Sequence, residues 1–361
     1  MKYFNIIQIK KIQLIKNLAL IIASLLLSIL LIEIILKIQG KYNHLTKNEL
    51  IASQSVYERP FNSKQKHKHP DLNYIIENYF DIDGVKNFSK IETSKKKNLI
   101  GVFGDSFVEN IAVDRIFEYS TLLNENINNY QVINYGIGGY SAELAFLRYL
   151  KYQKKHDLKY IFYMFFPGDE NSRSLIKFHK NESFEVKKIK INLFIKFISK
   201  LNLTYFSIDI FYKIRSLLFE DHSVIDINNY SQVLANKMAT KTFLGLKEDS
   251  QYLYKLLNIF QNEVKKNNGK FFVIVFPDKN NINYFKKTIE DYNLKINFFI
   301  LDSELAYSKE LFFINDGHWN EKGNLLFAKN LEKIFDDLGI NFNKKIDEGI
   351  IISKINNYYK N

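Results

Sequence analysis

Cysteine is absent from the 361-residue chain, which excludes structural disulfides, thiolate metal sites and a cysteine nucleophile. No phosphate-binding loop, dinucleotide fingerprint, cluster of metal-ligand spacing or internal repeat is present either, so no cofactor and no metal are expected. Proline occurs only four times, and two of the four, Pro167 and Pro277, stand where apolar runs stop. The net charge of +12 invites a nucleic-acid reading, but that reading needs a basic stripe with interleaved aromatics. The lysines are instead dispersed among Asn and Ile, and no basic run exceeds Lys95-Lys96-Lys97; no nucleic-acid partner is expected. What is abundant is apolar: 46% hydrophobic and 15% aromatic residues support a sizeable folded core.

The longest apolar run lies near the start. Leu18 to Ile32 is broken only by two serines and continues past Glu33 as Ile34-Ile35-Leu36. About 20 residues cross a bilayer core as a helix, so residues 17–38 are expected to be a transmembrane anchor. A cleaved signal peptide is the alternative; against it, the apolar region is long and no small-x-small site follows promptly. Lys2, Lys10, Lys11 and Lys16 precede the run. The positive-inside rule then places residues 1–16 in the cytoplasm and the bulk of the chain on the outer, periplasmic side of the inner membrane.

Residues 39–97 are polar and mixed and read as a solvated connector, including His67 and His69 among lysines. From Asn98 the texture becomes that of alternating strands and helices. Strands are expected at 99–103, 131–134, 159–166, 271–276 and 298–301. Helices are expected at 119–127, 142–155, 246–266, 285–292 and 321–338. This alternation predicts a parallel sheet with helices on both faces, with ligands at the carboxyl ends of the strands. Residues 172–245 interrupt the pattern as an insertion, in which 187–203 reads as a helix packed on the domain or, alternatively, as a lid or membrane-surface helix. Residues 339–361 are left as a C-terminal tail.

Four short segments fall at those strand ends or before the last helix. Gly104-Asp105-Ser106-Phe107 follows the first strand, so a serine is exposed where backbone N–H groups can stabilise an oxyanion. Asp316-Gly317-His318-Trp319-Asn320 precedes the last helix; a serine needs a base, and the base needs a partner to set its tautomer. Asn320 is also a plausible N-cap. Asn134-Tyr135-Gly136-Ile137-Gly138-Gly139 follows strand two and Gly168-Asp169-Glu170-Asn171 follows strand three, where turns can bring further oxyanion donors. Each segment is weak evidence alone; their joint order is strong.

In these blocks, over about 98–171 and 246–338 and with Asp81–Val85 as a lead-in, the chain resembles the SGNH (GDSL-like) hydrolases, named for Ser, Gly, Asn and His blocks. The resemblance implies a flavodoxin-like three-layer α/β/α sandwich with a five-stranded parallel sheet over 98–338. It implies Ser106 as nucleophile and His318 as base, and Gly139 and the Ser106 N–H as oxyanion donors. Asp169 falls where the family carries its asparagine donor, and Asn171 lies two residues on. Asp316 is expected to orient His318, although the family's commoner spacing would select Asn315; an Asp-x-His form occurs in relatives that acetylate exopolysaccharide. An anchor before such a domain is similar to envelope members acting on O-acyl groups of carbohydrates. The expected function is therefore serine-dependent ester hydrolysis or O-acyl transfer, acetyl first among acyl groups, on a cell-envelope carbohydrate or other ester. The alternative is a non-catalytic SGNH-like domain that binds glycan or scaffolds an envelope complex.

Overall fold

The computed structural model describes residues 2–39, 49–51, 56–59, 63–86, 98–166, 176–179, 184–186 and 246–358. The chain divides into two compact units, 1–48 with 190–222, and 49–189 with 223–361. In the first, the described part is helix α1 (Lys2–Gln39). Its segment Lys16–Leu36 is long and apolar enough, by length and composition, to cross a membrane, and Leu20, Leu25, Leu31 and Ile35 are exposed along it.

The second unit opens with two antiparallel pairs, β1 (Glu49–Ile51) with β2 (Val56–Glu58), and β3 (Ser63–Lys68) with β4 (Ile75–Phe80). The alternating elements follow: β5 (Asn98–Phe103), the one-turn α2 (Ser106–Glu109), α3 (Tyr119–Asn124), β6 (Tyr130–Asn134), α4 (Ala142–Tyr152) and β7 (Leu158–Phe165). A short hairpin of β8 (Ile176–Phe178) and β9 (Phe184–Val186) comes next. Then come α5 (Leu246–Lys266), β10 (Lys270–Val275), α6 (Lys279–Asp291), β11 (Asn297–Ile300), α7 (Glu304–Tyr307), α8 (Glu321–Asp337) and α9 (Glu348–Tyr358).

Strands β11-β10-β7-β5-β6 form one five-stranded sheet in that order, every pairing parallel. Numbered along the chain and read from the opposite edge, this is 2-1-3-4-5, the flavodoxin-like order, whose topological switch point lies between β5 and β7. The strands are continuous apolar runs because both faces are covered. Successive residues pass alternately to two cores. Ile100, Val102, Val132, Phe162, Met164, Phe272 and Ile274 enter one, closed by α3, α8 and α9. Leu99, Phe103, Ile133, Ile161, Tyr163, Phe165, Val273 and Val275 enter the other, closed by α4, α5 and α6. The architecture is a three-layer α/β/α sandwich.

Several local expectations differ from the structure. Helix α6 starts at Lys279, six residues before the expected start, because Asp278 caps it by accepting from the N–H groups of Asn280 and Asn281; its Asn-rich first turn carries no apolar period. Residues 63–86, expected as solvated connector, lie on the domain, and His69 is buried. Its Nδ1 accepts from the Asp71 and Leu72 N–H groups, and its ring packs edge-on against Phe313 at 5.0 Å. The expected tail contains α9, whose Ile351 and Ile355 enter the first core. The helix expected at 187–203 lies outside the described residues.

Candidate active site

Ser106 stands at the carboxyl end of β5, beside the switch point. Asp105 caps the turn, its side chain accepting from the Phe107 N–H at 3.0 Å, and Ser106 begins α2. That turn ends after four residues because Asn110 takes a left-handed conformation, φ 51°, which asparagine tolerates better than most residues. Asn110 Nδ2 donates to the Phe107 carbonyl at 2.6 Å, and Asn324 of α8 donates to Asn110 Oδ1 at 3.2 Å. The serine thus sits on a turn tied to the sheet and to the last long helix.

His318 lies on a loop closed on itself and pinned on its far side. The Phe313 N–H donates to the His318 carbonyl at 2.8 Å, and the Gly317 N–H donates to the Phe313 carbonyl at 3.2 Å, with Gly317 at φ 75°. Trp319 is fully buried and donates its indole N–H to the Leu305 carbonyl at 2.8 Å. Asn320 caps α8 by accepting from the N–H groups of Lys322 and Gly323. The ring of His318 lies 5.1 Å from that of Phe107.

These supports bring three of the expected residues into one file. Asp316 Oδ2 is 3.0 Å from His318 Nδ1, and His318 Nε2 is 2.8 Å from Ser106 Oγ. A carboxylate only accepts, so Nδ1 carries the proton shared with Asp316, and Nε2 presents a lone pair to the serine hydroxyl. Asn315 is turned elsewhere. Its backbone and side-chain N–H groups both donate to Asp71 Oδ1, at 2.9 and 3.1 Å, and the Ile314 N–H donates to Asp71 Oδ2 at 2.8 Å.

The electrostatics follow from burial and neighbouring charge. Burial pushes His318 toward the neutral form, but its hydrogen bond to Asp316 and the charges of Asp316, Asp105 and Glu109 outweigh it, so its pKa lies above the ordinary histidine value. Burial raises the Asp105 carboxyl to about 6, against the Phe107 N–H and the charge of His318, which pull it down.

The loop after β6 lies over this turn. The Tyr135 N–H donates to the Val102 carbonyl at 2.8 Å and the Ile137 N–H to the Gly104 carbonyl at 3.1 Å. Gly136 approaches so closely that a Cβ there would meet the Glu109 backbone nitrogen at 2.4 Å. A Cβ at Gly138 would lie 3.6 Å from that of Ser106. Gly139 follows with φ 76°. Gly168, Asp169 and Asn171 lie outside the described residues.

One buried group behind the serine escaped the sequence reading. Glu109, 1% exposed, receives a bidentate pair from Arg59, Nε to Oε1 at 2.5 Å and Nη2 to Oε2 at 2.7 Å. Its Oε2 also accepts from the Gly138 N–H at 2.7 Å. Burial would raise this carboxyl, but the charge and hydrogen bonds of Arg59, the Gly138 N–H and the charge of Lys86 hold it below the usual range. Lys86 is buried too, donating to the carbonyls of Glu109 and Asn110 at 3.2 and 2.6 Å and facing Glu118 at 3.5 Å. Asp71, Arg59 and Lys86 all come from residues read as connector. No group of histidine, aspartate and glutamate side chains suited to a metal ion occurs among the described residues.

No protein-family model matches the sequence, and no curated protein matches it by sequence. Among solved structures the chain is similar to a member of the lipolytic protein G-D-S-L family from Veillonella parvula, with 15% identity and a TM-score of 0.35 over 66% of this chain and 98% of that one. It is similar to an acetyl xylan esterase from the rumen bacterium Butyrivibrio proteoclasticus, with 13% identity and a TM-score of 0.33 over 72% and 67% of the two chains. An acetylxylan esterase from Geobacillus stearothermophilus shows 12% identity and a TM-score of 0.31 over 68% and 97%.

Proposed function

We propose that the chain is a membrane-anchored serine esterase or O-acyltransferase of the SGNH type, acting on O-acyl groups of cell-envelope carbohydrate. The observation that carries the reading is the file Asp316–His318–Ser106, with contacts of 3.0 and 2.8 Å at the carboxyl end of β5. Ser106 Oγ attacks the acyl carbonyl while its proton passes to His318 Nε2, and Asp316 stabilises the imidazolium so formed. The Ser106 and Gly139 N–H groups, with Asp169 as third candidate, hold the oxyanion. Collapse returns the proton from His318 to the leaving alcohol and leaves an acyl group on Ser106. Water then regenerates the serine in an esterase; a sugar hydroxyl does so in a transferase, and the same residues serve both.

The carbohydrate substrate and the periplasmic side rest on analogy with anchored envelope relatives and on the lysines preceding Lys16–Leu36. Residues 98–338 form the catalytic domain in this reading. Labelling of the full chain in detergent with a fluorophosphonate probe tests it. Labelling that disappears in Ser106→Ala supports an activated serine. A folded wild-type protein that stays unlabelled overturns the enzyme and favours a non-catalytic glycan-binding or scaffold domain, for which Asp169 in place of the family asparagine is the sequence feature.

A further inference from the structure

We propose that Glu109, clamped by Arg59, is a positioning residue that sets the 138–139 backbone against Ser106 for oxyanion binding; this rests on the serine-nucleophile reading above. A carboxylate three residues after the nucleophile is buried to 1% exposure, where an ion is costly unless fully partnered. It is partnered on two sides. One is the planar fork of Arg59, whose two bonds fix the carboxylate in orientation as well as charge. The other is the backbone N–H of Gly138, 2.7 Å from Oε2. The same carboxylate oxygen would lie 3.2 Å from a Cβ built on Gly138, and Ser106 Cβ 3.6 Å from it. Glutamate and nucleophile therefore flank Gly138, the glutamate bonded to its N–H, and the next peptide N–H along the chain is that of Gly139.

The surrounding network gives the arrangement its rigidity. Lys86 ties the carbonyls of Glu109 and Asn110 to Glu118. Asn134, at the root of the glycine loop, donates to the Val108 carbonyl at 2.8 Å and to Glu118 Oε1 at 2.6 Å, and accepts from the Gly136 N–H at 2.9 Å. Serine turn and glycine loop are thus two backbones joined through one charged network. In Glu109→Gln an amide N–H group faces Arg59 or Gly138 in place of one acceptor, so one bond must be lost, half of the fork or the bond to Gly138, and the loop is held less firmly and can shift. Oxyanion donors act through distance to the developing charge, so such a shift appears in turnover more than in substrate affinity.

The test is active-site titration and turnover of the full-length protein in detergent, with a fluorophosphonate and 4-nitrophenyl acetate as probes. Glu109→Gln is expected to reach the same labelled fraction as wild type but to label slowly. Its kcat per labelled site should be about 10²-fold lower, the size of losing one oxyanion donor, with KM little changed. A lower labelled fraction with wild-type turnover per site would make Glu109 merely structural and overturn the proposal, as would unchanged kinetics. If Glu109→Gln does not fold, the double variant Arg59→Gln/Glu109→Gln, which leaves no unpaired buried ion, carries the same test. A wild type inert to both probes overturns the serine-nucleophile reading itself, which separates the two failures.

Discussion

His318 Nε2 lies 2.8 Å from Ser106 Oγ although 212 positions separate the two residues in the chain. The contact is made by two turns anchored independently, one on the end of β5 and the other against the buried Trp319 and the cap of α8. Removing either side chain should therefore spare the framework. Ser106→Ala and His318→Ala are expected to lower esterase turnover by about 10⁶-fold, the scale of losing the serine or histidine of such a triad, while thermal melting stays close to wild type. Turnover of 4-nitrophenyl acetate and a melting curve check both halves.

Asp316 raises the pKa of His318 through its hydrogen bond and charge, against burial. The base works only when neutral, so the acid limb of the kcat/KM profile should lie above the ordinary histidine value, with activity lost as pH falls through it. Asp316→Asn removes the raising charge. The limb should move to lower pH, and turnover should fall by about 10⁴-fold, as when the tautomer is no longer held. Asn315→Ala, whose side chain serves Asp71 instead, should leave the limb in place. A pH–rate series of the three proteins distinguishes the two candidate partners.

Gly136→Ala places a methyl group against backbone, 2.4 Å from the Glu109 nitrogen and 2.7 Å from the Val108 carbonyl carbon. Backbone inside a hydrogen-bonded turn yields little, so the 135–139 loop must move instead. Overpacking of this kind costs about 1–3 kcal/mol, and a shift near 1 Å in the site costs about 10²-fold in rate. The denaturation midpoint and the turnover of the variant should fall together.

Arg59→Met leaves the Glu109 carboxylate buried without its fork. Breaking one side of a buried pair costs about 3–5 kcal/mol. Arg59→Met/Glu109→Gln, which removes both charges, should be more stable than the single variant. Melting temperatures of the two provide the check.

Sequence alone determined the order of the five sheet strands and the long helices between them, because buried parallel strands are continuous apolar runs and such runs are visible without coordinates. It also singled out Ser106 and His318, each next to a local stop: Ser106 after the run ending at Phe103, and His318 before the Asn320 cap. Glu109 was readable in principle, being a carboxylate beside Phe107 and Val108 within the serine turn. Arginine fills only five of the 51 Lys and Arg positions, and Arg59 was a signal of the same kind, since a bidentate grip on a carboxylate is what lysine does not provide. Neither residue's partner was legible, because the pair spans 50 positions and follows no period. The role of residues 63–86 was equally hidden. Asp71 and Lys86 are polar residues in a polar segment, and only the folding of β3 and β4 onto the domain turns them into acceptor and donor at the site. The sequence already pointed to Asp316 beside His318, but what turns Asn315 away was tertiary. Adjacent residues on a tight loop point different ways, and Asp71, some 240 residues earlier in the chain, takes one of them.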